Sequence, residues 1–356
     1  MSLTVNQKIK LRVSFQIISV GVLLGIIYVS FSNGFSNMYP FVNGAVIGLL
    51  LGLLISFLEL WVFTKGSRKM RFISQLCLRT VIYIILIISV ILVVTIVSRS
   101  FRMDMSFTQV IHSDEFNTYI IDGNFSVAIL YALLFAFSIN FTRMISRKMG
   151  QGMLVSFITG TFHQPVVQER IILFIGIKNV SHFSKTLSEY DFFNFLNDYL
   201  FDITTPIVQH QGIIYEYVED QVVVTWRPEK GTYQANCIRA YYALIDKLES
   251  RKEFYFDKYN IIPQTIASLH FGKLVRAEIG KIKTQIVFQG DAMNTAARML
   301  GKCKELDQQL VISDALLNRL TIPVLFDVKP MGSFKLKGKA DEISIYSIED
   351  KKLTEI

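Results

Sequence analysis

Four long apolar runs, at residues 13–31, 41–63, 81–97 and 125–141, decide what the first part of this chain can become. Each approaches the ~20 residues that a helix needs to cross the hydrocarbon of a bilayer. A chain in lipid must satisfy its backbone hydrogen bonds internally, so such runs predict helices. The expected result is a four-helix transmembrane bundle over residues 1–142. Composition agrees: 51% of the residues are apolar and only 19% charged, which excludes an ordinary soluble domain.

The charges are sorted in a way that bears on topology. Residues 1–150 carry 13 Lys/Arg against 5 Asp/Glu, whereas residues 151–356 carry 24 of each. The basic excess therefore belongs to the membrane part and gives no support to a nucleic-acid partner. Lys8, Lys10 and Arg12 precede the first run. Lys65, Arg68, Lys69 and Arg71 fill the second connection, and Arg143, Arg147 and Lys148 follow the fourth run. The first connection is uncharged, and the third mixes Arg99 and Arg102 with Asp104, Asp114, Glu115 and Asp122. Lys/Arg excess on alternate sides predicts a multi-pass protein of the inner (plasma) membrane with both termini in the cytoplasm. Within the spans, Glu59 is expected to snorkel or to pair with an arginine, and Asn43 and Asn140 to join helices. Cys77, Cys237 and Cys303 have the spacing of neither a disulfide framework nor a zinc site.

Residues 143–169 read as a membrane-proximal linker. From residue 170 strand-like and helix-like segments alternate. A strand is expected at 170–175, a helical stretch at 181–209 and a hairpin at 212–226 turning at Glu219–Asp220. A helix at 233–248, strands at 264–271 and 286–288, and a helix at 291–303 follow. A strand at 309–313 and a closing pair at 334–336 and 343–348 complete the pattern. The expected fold is multidomain: the four-helix bundle, then a cytoplasmic α+β sandwich of the ferredoxin-like kind at 170–349, and a short tail at 350–356. His210 and His270 lack metal-ligand spacing and read as structural.

Six segments together resemble the class III nucleotidyl (adenylate/guanylate) cyclases, in particular bacterial members with a four-helix membrane anchor. They are FLNDYLFDIT at 195–204, QGIIYEYVEDQVVVTW at 211–226, LHFG at 269–272, GDAMNTAARM at 290–299, LVIS at 310–313 and LKGKADEISIY at 336–346. The resemblance implies a cyclase catalytic domain that acts as a dimer. Its substrate would be a purine nucleoside triphosphate, converted to a 3′,5′-cyclic nucleotide and pyrophosphate with Mg²⁺ or Mn²⁺. Two cations stabilise the attacking and departing oxygens in such a reaction, and hard cations favour carboxylates.

By the same resemblance, Asn294 orients the ribose, Arg298 stabilises the transition-state phosphate and Lys337 binds the triphosphate. Asn294 and Arg298 are four residues apart and so share a helix face. Glu216 and Gln285 fall on the base-reading positions. Glu216 resembles a guanine-reading choice, and Gln285, able to donate or accept, leaves the base open. The metal half departs from the family pattern. Asp220 supplies one metal aspartate and the backbone carbonyl of Ile177 remains as a ligand, but Gly176 stands where the other aspartate belongs. Glu219 replaces the turn glycine beside Asp220. Two functions therefore stand side by side. One is a membrane-anchored cyclase. The other is a degenerate subunit that lends Asn294 and Arg298 to a partner in a homodimer or heterodimer, or a membrane sensor whose domain only binds nucleotide.

Overall fold

The computed structural model describes residues 5–33, 38–63, 72–121, 124–149, 164–218, 220–280, 285–336 and 341–351. The chain separates into two units, Met1–Lys148 and Met149–Ile356.

The first unit is helical. Helix α1 spans Val5–Asn33, α2 spans Met38–Phe57 and continues as a π-helical turn at Leu58–Val62, and α3 spans Phe72–Met103. Two short helices follow, α4 at Phe107–Ile111 and α5 at Asp114–Ile121, before α6 at Asn124–Met149. Four of these helices are long and apolar enough to cross a membrane, in agreement with the sequence pattern and compatible with a membrane anchor. A glycine series, which periodicity did not single out, sets the α1–α2 contact. Gly21 and Gly25 of α1 face Gly44, Gly48 and Gly52 of α2, and a Cβ at Gly25 or Gly48 would collide with the carbonyl of the facing helix. Small residues permit this close backbone approach, the main source of helix association where lipid already solvates apolar side chains. Glu59, in the π-helical turn, is buried and paired with Arg79 at 3.0 Å, and the Tyr83 hydroxyl donates to the same carboxylate. The pair thus takes the arginine-bound form. Among the described residues Asn140 is buried without a hydrogen-bond partner and so does not join helices by hydrogen bonding, while Asn43 lines a cavity.

The second unit is built on one mixed sheet. Its strands are β1 (Val166–Ile177), β2 (Ile213–Val218), β3 (Gln221–Trp226), β4 (Thr265–Ile279), β5 (Gln285–Gln289), β6 (Leu310–Ser313), β7 (Phe326–Lys335) and β8 (Glu342–Asp350). The order is β2-β3-β1-β4-β6-β8-β7, with β5 pairing on β4. The β4–β6 pair is parallel and the others antiparallel. Strand β1 is central and buried on both faces, which explains its unbroken apolar sequence. Ile171, Leu173 and Ile175 pack on one side against helix α8 (Glu189–Gln209) and α10 (Asn236–Glu249), through Phe195, Tyr199 and Tyr241. Ile172 and Phe174 face the other side, where α12 (Asp291–Glu305) contributes Ala296, Met299 and Leu300. Each such full burial contributes about 1.5–3 kcal/mol.

The helical stretch expected at 181–209 is two helices, α7 at Val180–Thr186 and α8. The break arises because Ser188 is extended and its hydroxyl accepts the Asp191 N–H, a capping arrangement that starts a new helix. Pro206 lies inside α8 without ending it. Strand β4 runs well past Phe271, because its second half gains partners in β5 and in the first residues of β1. The buried His270 faces the Ser313 hydroxyl at 2.8 Å, and His210 Nδ1 lies 2.9 Å from the Pro206 carbonyl, so both are structural as expected.

Candidate active site

Two groups of residues have to be placed. One is expected to read the nucleotide, the other to hold metal. The nucleotide group starts on α12. Gly290 precedes this helix with φ +150°, and a Cβ there would lie 3.1 Å from Leu274 Cα, so a glycine is required for the strand-to-helix turn. The Ser268 hydroxyl on β4 donates to the Ala296 carbonyl at 2.7 Å and anchors the helix to the sheet. With Ala292, Ala296, Met299 and Cys303 buried beneath, Asn294 is exposed and Arg298 half-buried on the other side of the same helix. The shared face expected from their spacing is therefore present. Lys337 and Glu219 lie outside the described residues.

The two positions expected to read the base come together although 69 residues separate them: Gln285 Nε2 lies 3.5 Å from Glu216 Oε1. A feature that the sequence reading missed makes this contact. Strand β2 carries a register irregularity between Ile214 and Glu216, at Tyr215. A bulge of this kind re-aims side chains. The Tyr215 ring stacks on Phe288 with centroids 4.4 Å apart, and the Phe288 N–H donates to the Tyr215 hydroxyl at 2.7 Å. Tyr215 thus clamps β2 to β5, with Glu216 and Gln285 at the edge of the clamp. Burial, opposed by the bond from Phe288, holds the Tyr215 hydroxyl above its usual pKa and keeps it neutral. Aromatic residues beside the two base-reading positions were the available sequence signal.

The metal group sits at the end of β1 and at the β2–β3 turn. Register places Gly176 opposite Gln221 on β3 and opposite Ile266 on β4, so it neighbours Asp220 across one strand pair. Asp220 is half-exposed. Buried Tyr199 has its hydroxyl pKa raised, chiefly by burial, with the Asp220 charge adding to the effect. Gly176 is buried on the α12 side, where its nearest neighbour is Leu300. Ile177 is buried on the opposite side and pairs with Thr265. Among the described residues no group of three or more His, Cys, Asp or Glu side chains can hold a metal ion. One carboxylate and one backbone carbonyl do not fit a two-ion site, because hard cations need several oxygen ligands.

A mixed sheet flanked by helices, with Asn294 and Arg298 on one helix and a strand-end position beside a hairpin aspartate, has the organisation of a nucleotidyl cyclase domain. The comparisons agree. The model of the adenylate and guanylate cyclase catalytic domain matches residues 163–350, more than half of the chain. The chain belongs to this family, the class III cyclases, which work with divalent metal ions. It is 30% identical over 220 residues to adenylate cyclase 2 of Rhizobium meliloti, covering 62% of this chain and 61% of that protein. It is 25% identical over 183 residues to an adenylate cyclase of Anabaena cylindrica, covering 50% and 36%. The chain thus spans less than two thirds of these relatives. A bacterial light-regulated adenylyl cyclase shares the fold, with a TM-score of 0.53 at 20% identity over 62% of this chain and 64% of that one.

Proposed function

We propose that this protein is a membrane-anchored cyclase subunit that contributes the nucleotide-reading half of a shared active site and a depleted metal half. In this reading it belongs to cyclic-nucleotide signalling and works as a dimer. The partner is a second cyclase domain, in a heterodimer where that partner brings both metal aspartates. Asn294 and Arg298 orient the ribose and stabilise charge on the phosphate, while Glu216 and Gln285 meet the purine. Lys337 is assigned to the triphosphate. The N- and C-termini are assigned to the cytoplasm, the side on which nucleoside triphosphates are found.

The observation that carries this reading is the contrast within one domain. Glu216 meets Gln285 across 3.5 Å, whereas the strand-end position beside Asp220 is Gly176, which offers no carboxylate. A homodimer of this chain repeats the same loss in both sites. Mg²⁺ or Mn²⁺ is then held weakly, through Asp220 and the triphosphate.

A second reading, an active homodimeric cyclase, draws support from the adenylate cyclases to which the chain is similar. Turnover separates the two. The full-length protein, given ATP or GTP with Mn²⁺ or Mg²⁺, is expected to form little cyclic nucleotide. Robust turnover that Asp220→Ala abolishes overturns the depleted-site reading and establishes the second.

A further inference from the structure

The helical unit contains a cavity of about 380 Å³ that the cyclase reading does not use. Its walls come from α1, α2, α3 and α6 with Tyr119 of α5, and they change character from one end to the other. The deep end is apolar, with Ile17, Ile55, Ile87 and Ala136. The other end, where α1 and α3 finish and α2 starts, carries Tyr28, Asn43, Tyr131, Arg99 and Arg102. Tyr28 and Tyr131 pack at 5.0 Å, and the Tyr131 hydroxyl donates to the Leu24 carbonyl.

Arg99 is the informative residue. Its guanidinium lies 5.2 Å from the centre of the Tyr119 ring, and its Nη1 is buried without a hydrogen-bond partner. A buried guanidinium N–H left unsatisfied costs about 1–3 kcal/mol or more, offset only in part by the Tyr119 ring and by the Phe116 ring at 6.0 Å. Arg102 is paired with Glu115 only at 3.9 Å, with both side chains more than half exposed. Among the described residues two guanidiniums therefore meet one carboxylate at this end. Two arginines lining one end of a long apolar chamber call for an anion that carries an apolar tail.

We propose that this cavity binds a medium-chain carboxylic acid, its carboxylate at the polar end lined by Arg99 and Arg102 and its single chain along the floor between α1, α2 and α6. The volume lies at the lower end of ordinary ligand pockets, about 300–1,000 Å³, which suits one chain and is small for both tails of a phospholipid. A planar carboxylate also matches the paired donors of an arginine. The site makes the helical unit a receptor for an amphiphilic anion as well as an anchor.

The test is equilibrium binding of radiolabelled decanoate to the full-length protein in phosphatidylcholine nanodiscs, with empty discs subtracted. The expected result is saturable binding, with decanol, which lacks the charge, competing at least tenfold less well. Arg99→Gln is expected to weaken decanoate binding at least tenfold without changing decanol competition. Ala132→Leu, which fills the cavity wall opposite α1 and α2, is expected to abolish binding of both. Should Arg99→Gln fail to fold, which thermal unfolding reads, Ala132→Leu and the decanol comparison still decide. Decanoate uptake equal to that of empty discs overturns the proposal. So does equal competition by decanol, or unchanged binding in folded Ala132→Leu. Discs containing phosphatidylglycerol that displace decanoate overturn the choice of a free single-chain acid in favour of a lipid headgroup.

Discussion

Restoring a carboxylate at the end of β1 is the most informative perturbation of the catalytic domain, and the structure allows its consequences to be worked out. In Gly176→Asp, the new Cβ would lie 3.3 Å from Leu300 Cδ2, 3.8 Å from Ile266 Cγ1 and 3.9 Å from Gln221 Cγ. The first contact is tight, but Leu300 Cδ2 is the tip of a flexible side chain and yields by a few tenths of an ångström. The residue lies in an extended strand, so the backbone accepts any side chain. The steric cost therefore falls at or below the ~1–3 kcal/mol typical of overpacking. The carboxylate costs more: it enters a buried position near Asp220, and without metal an unsatisfied charged group exceeds the ~1–3 kcal/mol of a neutral one.

The variant is thus expected to be less stable than the parent in chelator. A divalent cation at a hundred times its dissociation constant restores about 2.7 kcal/mol, so Mn²⁺ should raise its unfolding temperature more than that of the parent. A regained electrostatic partner in the transition state contributes about 2.7–4 kcal/mol, which is ~10²–10³ in rate. Cyclic nucleotide formation by the full-length variant with Mn²⁺ measures this, alongside thermal unfolding with and without Mn²⁺. A folded variant that is stabilised by Mn²⁺ yet no faster than the parent refutes the argument that Gly176 limits turnover.

Three further outcomes follow from particular contacts. The amide of Gln285 points its N–H at Glu216, which leaves two oxygen acceptors for a base edge that donates. A fluorescent GTP analogue should therefore bind about tenfold more tightly than its ATP counterpart, and Glu216→Lys should remove the preference; equal affinities in the parent would contradict it. Gly48→Leu places a side chain against the α1 backbone and should destabilise the helical unit by at least the ~1–3 kcal/mol of overpacking, read by thermal unfolding in detergent, whereas Leu49→Ala, at an exposed position, should not. Burial pushes the Cys237 and Cys303 thiols up to about 12, against ~8.5 in an unfolded chain. The folded state then keeps protons that the unfolded state loses. The stabilisation is complete below about pH 8.5 and declines as pH rises toward 12, by up to about 1.4 kcal/mol per pH unit for each thiol. Iodoacetamide at pH 8 should leave both unlabelled until the protein is denatured, and labelling of the folded protein would contradict their burial.

The parts of this molecule that were legible in the sequence are those specified locally. Apolar run length marked the four long helices, and the shared face of Asn294 and Arg298 followed from their spacing of four. The hairpin turn near Asp220 was bounded by the strand patterns on either side. What escaped depends on partners distant in the chain. The bulge at Tyr215 has meaning only once Phe288 is stacked on it, and the second half of β4 only once β5 lies alongside. The spacing of four in Gly21 and Gly25 and in Gly44, Gly48 and Gly52 is a readable sign of close helix contact, but which helix each series faces emerges only when the two are set against each other. The break before α8 was in principle readable, since Ser188 precedes Glu189 and Asp191 in the manner of a helix start, but the continuous apolar spacing on either side masked it.

The central claim is that this chain supplies a working Asn294–Arg298 half to a shared site. It is tested most directly by mixing the full-length protein with a cyclase domain that retains both metal aspartates but lacks its own transition-state Asn and Arg. The account predicts cyclic nucleotide formation in the mixture that neither protein shows alone, and its loss with Arg298→Ala. An assembled heterodimer that stays inactive would contradict the account.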